Sequence, residues 1–372
     1  MIAWRFRSAS PVRVHLVTQQ NQSRYHRQEL LAGIGPDGQA RLRASHALVV
    51  GCGALGCAVV DILARAGIGR LTIVDRDIVE RTNLQRQTLY SERDAANGTP
   101  KAIAAQRRVA EINPEVICRG EVDHVGPESV LSYARDTDVI LDGLDNLHTR
   151  FLLNDVAVSL GKPYFYGGVV ATRGMSMPVL RDEACLRCLF PDSSMQTGET
   201  CDTAGVLMSA VLAVSAHQST QAIKWIVGAH AAIDRSLWSM DAWTNRTTRV
   251  SLTNARDANC PCCAARNFEF LAGMHDNQAA ILCGRNAVQI APRRTGTNAT
   301  MALDLRRAAV TLRAHGTFIE RDGLLVGTFT SVRTNDDSAV ELTLFPDGRA
   351  IVKGTTDEVF ARSVYDRFVS GL

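Results

Sequence analysis

The sequence has no long apolar run free of polar interruption. Its most apolar stretch, Ala204 to Gly228, carries His217, Gln218, Gln221 and Lys224, so it reads as a buried or amphipathic helix and not as a membrane span. A secretion signal is also missing, because Arg5, Arg7 and Arg13 fall where its apolar core would have to lie. A cytosolic protein without a membrane partner is therefore expected. Clustered basic charge is absent too: the formal net charge is +3 and the basic residues are scattered, which argues against nucleic acid as a partner. No internal repeat or low-complexity tract interrupts the chain. With 46% hydrophobic and 21% charged residues, it has the composition of an ordinary globular protein. Its 372 residues exceed what one core usually organises, so one large domain and a smaller one are expected.

Ten cysteines are present, and in a cytosolic chain they favour metal ligation or catalysis over disulfides. Residues 1–22 show no clear period and read as an arm. From Ser23 two short helices are expected, separated by a breaker from Gly33 to Gly38. Strands at Leu48 to Val50 and Leu71 to Val74 flank a helix from Leu55 to Ala66. Helices at Lys101 to Ile112 and Leu147 to Leu160 alternate with strands near Val116 to Cys118, Asp138 to Leu144 and Tyr164 to Gly167. This alternation predicts an α/β fold with a Rossmann-like doubly wound sheet. A loop-rich excursion from Val179 to Cys201, the Ala204 to Gly228 helix and two strands, Leu237 to Trp243 and Thr247 to Leu252, complete a domain over 23–265. A small α+β module is expected over 281–372. It comprises a helix around Met301 to Ala314, strands at Gly323 to Phe329, Ala339 to Leu344 and Arg349 to Lys353, and a final helix from Glu358 to Val369.

Between the first strand and helix stands Gly51-Cys52-Gly53-Ala54-Leu55-Gly56, a G-x-G-x-x-G turn. Its glycines let the backbone approach a phosphate at a helix amino terminus, where free N–H groups favour negative charge. Asp75, 19 residues after Gly56 at the next strand end, can accept ribose hydroxyls. The turn alone does not tell NAD from ATP. Asn83, Arg86 and Gln87 in NLQRQ, followed by Lys101, add two permanent cations and two amides beside the same site. A hydride carrier has no use for that cation pair, whereas attack on the α-phosphate of ATP needs positive charge along the triphosphate. Asp145, at the end of the LDGLDN strand, should face the same crevice as Asp75 and can hold Mg²⁺ through one carboxylate.

The stretch from about Ser23 to Cys263 resembles the ThiF/MoeB/HesA superfamily, relatives of ubiquitin-activating enzymes. The matching elements are RYHRQ, GCGALG, VDRD, NLQRQ, Lys101, LDGLDN, CLRC, CDTAGV and a final cysteine pair. The resemblance implies adenylation of the carboxyl terminus of a small ubiquitin-like or sulfur-carrier protein ending in Gly-Gly, with ATP and Mg²⁺. The implied nucleotide contacts are Gly51, Gly53, Gly56, Asp75, Asp77, Asn83, Arg86, Gln87, Lys101 and Asp145. Arg27 of RYHRQ matches an arginine that the family inserts from a partner subunit toward the γ-phosphate, which implies a homodimer. No side-chain general base is needed, because the attacking carboxylate is already ionised at neutral pH.

Cys185-x-x-Cys188 and Cys260-x-x-Cys263 offer four thiolates in the pattern of a structural Zn²⁺ site, although the interval between the pairs exceeds that of a compact zinc ribbon. A redox pair is the competing reading, and Cys262 is an alternative ligand that the x-x spacing disfavours. By the resemblance, Cys201 is the residue that takes the activated carboxylate as a thioester or acyl-persulfide, and a helix starting at Ala204 would favour its thiolate. Some members of the superfamily stop at the adenylate, so a structural cysteine is equally compatible. Cys52, Cys57 and Cys118 lie in apolar segments and read as packing residues. Two other functions stay open: activation of a carboxylate on a ribosomal peptide or modified nucleoside, and a nucleotide-binding scaffold without turnover. Partner docking, packing or dimerisation would all suit the carboxyl-terminal module.

Overall fold

The computed structural model describes residues 23–191, 204–274, 279–282, 286–290, 303–334 and 337–372. Two sheets organise them. The first holds eight strands in the order β3-β2-β1-β4-β5-β6-β7-β8. These are β1 (His46–Val50), β2 (Arg70–Val74), β3 (Ile117–Glu121), β4 (Val139–Asp142), β5 (Tyr164–Val170), β6 (Arg173–Val179), β7 (Ser236–Asp241) and β8 (Arg246–Ser251). The run from β3 to β5 is parallel, and β5 to β8 is antiparallel. The second sheet is antiparallel, in the order β11 (Gly316–Arg321), β12 (Leu324–Arg333), β13 (Ala339–Leu344), β14 (Ala350–Lys353), β10 (Ala287–Ile290) and β9 (Ala279–Leu282).

β1 reads as a short apolar run because both its faces are covered, as parallel strands require. The Ala54–Ala66 and Lys101–Ile112 helices pack one face through Val59, Leu63 and Val109 against Val49, Leu71 and Ile73. On the other face, the Pro127–Ala134 and Leu147–Leu160 helices bring Val130, Phe151 and Val156 onto Leu48, Val50 and Ile140. The Met208–Ile226 helix crosses behind β5 and buries Gln218, whose Nε2 donates to the carbonyls of Asp142 (2.9 Å) and Phe165 (2.7 Å).

Register aligns the carboxyl ends of the central strands. Val50 pairs with Val74 on one side and Asp142 on the other, so the loops that begin at Gly51, Asp75 and Gly143 leave from one rim. The glycines there are required by crowding. Gly51 has φ +85°, and a Cβ on Gly56 would stand 2.0 Å from the Gly51 carbonyl oxygen. Close approach of three loops, more than flexibility, explains them.

Several elements differ from expectation. The stretch from Gly33 to Gly38 is not simply a breaker: a helix starts inside it, at Gly35, with Pro36 in the first turn where its missing N–H costs nothing. β5 runs on to Val170 and turns at Ala171, which has φ +54°, into the unforeseen β6. The helix expected from Ala204 begins at Met208, so its amino terminus stands further from Cys201 in sequence than expected. In the second sheet, β9 (Ala279–Leu282), β10 (Ala287–Ile290) and β11 (Gly316–Arg321) were unforeseen. They join β12 (Leu324–Arg333), β13 (Ala339–Leu344) and β14 (Ala350–Lys353). The Leu305–Leu312 and Glu358–Phe368 helices cover one face of this sheet. No helix among the described residues is long and apolar enough to cross a membrane.

Gly56→Ala should cost about 1–3 kcal/mol, the usual penalty for forcing a methyl into filled space. A lowered urea midpoint at unchanged slope would register it.

Candidate active site

The rim where β1, β2 and β4 end gathers most of the nucleotide candidates. Asp75 is buried, and its carboxylate spans two loops: Oδ2 accepts from Cys52 N at 2.6 Å and Oδ1 from Asp77 N at 2.7 Å. Burial pushes this carboxyl above the ordinary carboxylate range, and the charge of Lys101 pulls against that shift. Lys101 is itself buried. Its Nζ pairs with Asp77 Oδ2 at 3.1 Å and its N–H donates to the Asp77 carbonyl at 2.8 Å. Tyr90, which no sequence motif singles out, donates its hydroxyl to the Cys52 carbonyl at 2.6 Å and props the glycine loop.

Gly53 caps the Ala54–Ala66 helix and has no side chain to give its first-turn N–H groups a hydrogen bond. That is the cradle a phosphate needs. Asn83 is buried in the Arg81–Asn83 turn, where its Oδ1 accepts from Glu80 N at 3.0 Å. Gln87 is buried as well, and its Oε1 has no protein partner among the described residues. Arg86 is partly exposed, with Nη1 on the Thr82 carbonyl at 2.9 Å. Two of these features fit a polyanionic nucleotide: N–H groups at the start of the Ala54–Ala66 helix and a buried lysine, tied to each other through Asp75 and Asp77.

Asp145 is exposed at the end of β4's loop. The loop is held by an anchor that no local motif announces. Asp142 is fully buried and accepts from Arg150 Nε (3.1 Å), Leu144 N (2.8 Å) and the Tyr164 hydroxyl (2.9 Å). Arg150 also donates to the carbonyls of Leu144 (2.6 Å) and Gly167 (2.9 Å). The one arginine of the Leu147–Leu160 helix was the available signal. Its meaning depended on which strand end it faced.

Arg27 is not brought to this rim. It is exposed on the His26–Glu29 helix, which is tied to the far end of the Ala54–Ala66 helix by Gln28 Nε2 donating to the Ala66 carbonyl at 2.8 Å. A helix of 13 residues is about 20 Å long, so Arg27 sits far from its own chain's glycine loop. Cys201 lies outside the described residues.

Cys185, Cys188, Cys260 and Cys263 converge, with all four sulfurs within 4.8 Å of one another, an arrangement that can hold a metal ion. The Leu147–Leu160 helix organises both cysteine loops: Asn154 Oδ1 accepts from Leu186 N at 2.8 Å, and Asn154 Nδ2 donates to Cys262 Sγ at 3.2 Å. Cys262 thus has a partner outside the four-sulfur group. Asp155 accepts from Phe270 N at 3.0 Å and fastens the segment that follows.

Comparison with known proteins identifies the family. The ThiF family model matches residues 25–262. The sulfur carrier protein ThiS adenylyltransferase of Bacillus subtilis is 40% identical over 347 residues, covering 93% of this chain and 99% of that protein. The sulfur carrier protein adenylyltransferase of Thermus thermophilus is 36% identical over 253 residues, 66% of this chain and 92% of that protein. Among solved structures, E. coli MccB with ATP superposes at a TM-score of 0.57 and 20% identity, covering 66% of this chain and 75% of that one; this likeness is one of fold.

Next to Asp75, Arg76 donates to His124 Nδ1 at 3.0 Å. Burial, with the charges of Arg76, Arg349 and His148, pushes His124 from 6.5 down to about 3, against the opposing pull of Asp77. The unfolded chain therefore binds one proton more than the folded chain between these values, and stability present above pH 6.5 is lost as pH falls toward 3. His124→Gln should reduce that acid-limb slope by up to about 1.4 kcal/mol per pH unit. Urea unfolding at a series of pH values measures it.

Proposed function

The chain belongs to the ThiF family and is an adenylyltransferase of that type, and we propose that it activates the carboxyl-terminal carboxylate of a small sulfur-carrier or ubiquitin-like protein ending in Gly-Gly. The observation that carries this reading is the tie that Asp75 makes from the glycine turn, at Cys52 N, to Asp77, which in turn holds Lys101; Asn83 and Arg86 follow on the same loop. ATP use follows from the family. Asp75 would orient the ribose, since an ionised carboxylate that accepts two N–H groups retains lone pairs for hydroxyls. The amides of Gly53 and Gly56 would face the phosphates, with Asn83, Arg86 and Gln87 alongside, while Gly51, whose own N–H donates to the Val74 carbonyl at 2.8 Å, would let the turn approach them. Lys101, held by Asp77, would supply a fixed cation. Asp145, exposed at the rim, would hold Mg²⁺, which supplies further charge neutralisation when bound.

In this reading the acceptor's carboxylate attacks the α-phosphorus. A carboxyl O–P bond forms, the bond from that phosphorus to the bridging oxygen breaks, and pyrophosphate leaves. The protein contributes position and positive charge and needs no base. Cys201 would then attack the acyl carbon as thiolate, forming a thioester and releasing AMP.

The four clustered cysteines would hold Zn²⁺. Thiolates about 2.3 Å from a tetrahedral zinc ion stand about 3.8 Å apart. The separations of 3.6 Å (Cys185 to Cys260), 3.4 Å (Cys188 to Cys263) and 3.9 Å (Cys185 to Cys188) suit such a set. Four thiolates leave no open position, so the role is structural. The distance of Arg27 from its own chain's site supports a homodimer in which it reaches the partner's phosphates.

ATP–pyrophosphate exchange should depend on a Gly-Gly carrier protein, and Lys101→Ala should lower its rate by about a hundredfold or more. Exchange indifferent to that substitution contradicts the site. If Arg27 acts across a dimer, Arg27→Ala and Lys101→Ala chains should each be inactive alone. Mixed and re-equilibrated in equal amounts, they should recover about a quarter of the wild-type rate, because half the dimers hold one intact site. No recovery places Arg27 elsewhere.

A further inference from the structure

The six-stranded sheet has two unlike faces. Val340, Leu342, Leu344, Ala350 and Val352 join the core beneath its two helices. Alternation turns Ile351 to the opposite face, where with Ala287, Leu324 and Phe345 it packs on Ile78 and Val122. Both residues belong to loops leaving the nucleotide rim, and Ile78 directly follows Asp77. The sheet therefore lies against the segment that carries the phosphate candidates.

Polar contacts ring this apolar patch. Lys353 Nζ pairs with Glu80 Oε1 at 2.8 Å, Arg349 Nη2 donates to the Val122 carbonyl at 3.4 Å, and Arg321 Nη1 donates to the Asn97 carbonyl at 3.2 Å. Arg107 pairs with Asp322 at 3.0 Å. The four partners on the nucleotide domain lie on or beside the loops and helices around Asp77 to Lys101.

Glu80 is the informative contact. Its backbone carbonyl accepts the N–H of Asn83 at 2.9 Å, while Asn83 Oδ1 accepts Glu80 N at 3.0 Å, so the two residues close the Arg81–Asn83 turn reciprocally. The Asn83 carbonyl in turn accepts the N–H groups of Arg86 (3.1 Å) and Gln87 (2.9 Å). Directly bonded links thus run from Lys353 through Glu80 to Asn83, Arg86 and Gln87. From residue 78 to 100 the only regular elements are this turn, the Glu92–Asn97 helix and an isolated bridge from Ile78 to Pro100, so the segment's order depends on outside support.

We propose that the carboxyl-terminal sheet braces the phosphate segment, with Lys353 as a positioning residue that acts through Glu80 on Asn83 and Arg86. The proposal deepens the adenylation reading above and rests on it for the identity of the nucleotide. It gives the module a role in cis, where the sequence suggested partner docking, packing or dimerisation.

The test uses the full chain and two readouts. Titration calorimetry with ATP and Mg²⁺ should show affinity about threefold weaker in Lys353→Gln, as expected for loss of a partly exposed ion pair. Glu80→Gln should weaken it at least as much, the double variant no more than Glu80→Gln alone, and Lys353→Arg little. Asp322→Asn, which breaks a docking pair remote from the turn, should lower the unfolding midpoint but leave ATP affinity unchanged. Amide hydrogen exchange over residues 80–87 should quicken in Lys353→Gln and not in Asp322→Asn, with no nucleotide present. Unchanged exchange and affinity in Lys353→Gln overturn the brace, as does an equal loss of affinity in Asp322→Asn. Failure of the unaltered chain to bind ATP overturns the adenylation reading, and quickened exchange alone then distinguishes that failure from failure of the brace.

Discussion

The carboxylate of Asp75 is the interaction on which the site depends. It joins the glycine loop after β1 to the loop after β2 by accepting one N–H from each, Cys52 and Asp77. The first of those loops carries the candidate phosphate cradle, and the second leads to Lys101. Because the carboxylate is buried, its charge is strongly felt and must be answered, and Lys101 answers it from the start of the next helix while binding Asp77. Loss of the Asp75 carboxylate would leave two N–H donors and a buried cation poorly matched.

A second anchor works on the opposite side of β1. Asp142 and Arg150 form a buried ion pair that also engages Tyr164 and the Leu144 and Gly167 carbonyls. A buried pair of this kind adds little net stability over apolar packing, since desolvation offsets the Coulomb gain. What it does add is direction: four groups from two strands and a loop are held in one arrangement, and Asp145 stands beyond it in solvent. Gln218 completes the frame from the crossing helix.

The two sheets are not independent. The apolar patch around Ile351 and the ion pair from Lys353 to Glu80 place a distant part of the chain against the least regular part of the candidate site. Such a loop is ordered only if other contacts offset its conformational entropy. The second sheet supplies those contacts, while its own helices cover the other face.

Much of this was legible in the sequence. The strand and helix alternation, the G-x-G-x-x-G turn, Asp75, NLQRQ, Lys101 and the two C-x-x-C pairs are local patterns whose periodicity and residue chemistry are set within a few positions, and the Lys101–Ile112 and Leu147–Leu160 helices fall where they were expected. Tyr90, Asp142, Arg150 and Asn154 were not legible as anchors, because a hydrogen-bonding side chain has no meaning until its distant partner is known. β6 and β11 were missed for the same reason, since antiparallel pairing is settled by a neighbour and not by propensity alone. The sequence by itself determined the chemistry available to this protein: a phosphate-sized turn, a ribose-competent carboxylate, two cations and four thiols. Only the tertiary structure decided which of them meet. It brought the four thiols together, kept Arg27 away from its own chain's glycine loop and set the second sheet on Glu80, because those contacts join residues far apart in the chain and exist only once both cores have packed.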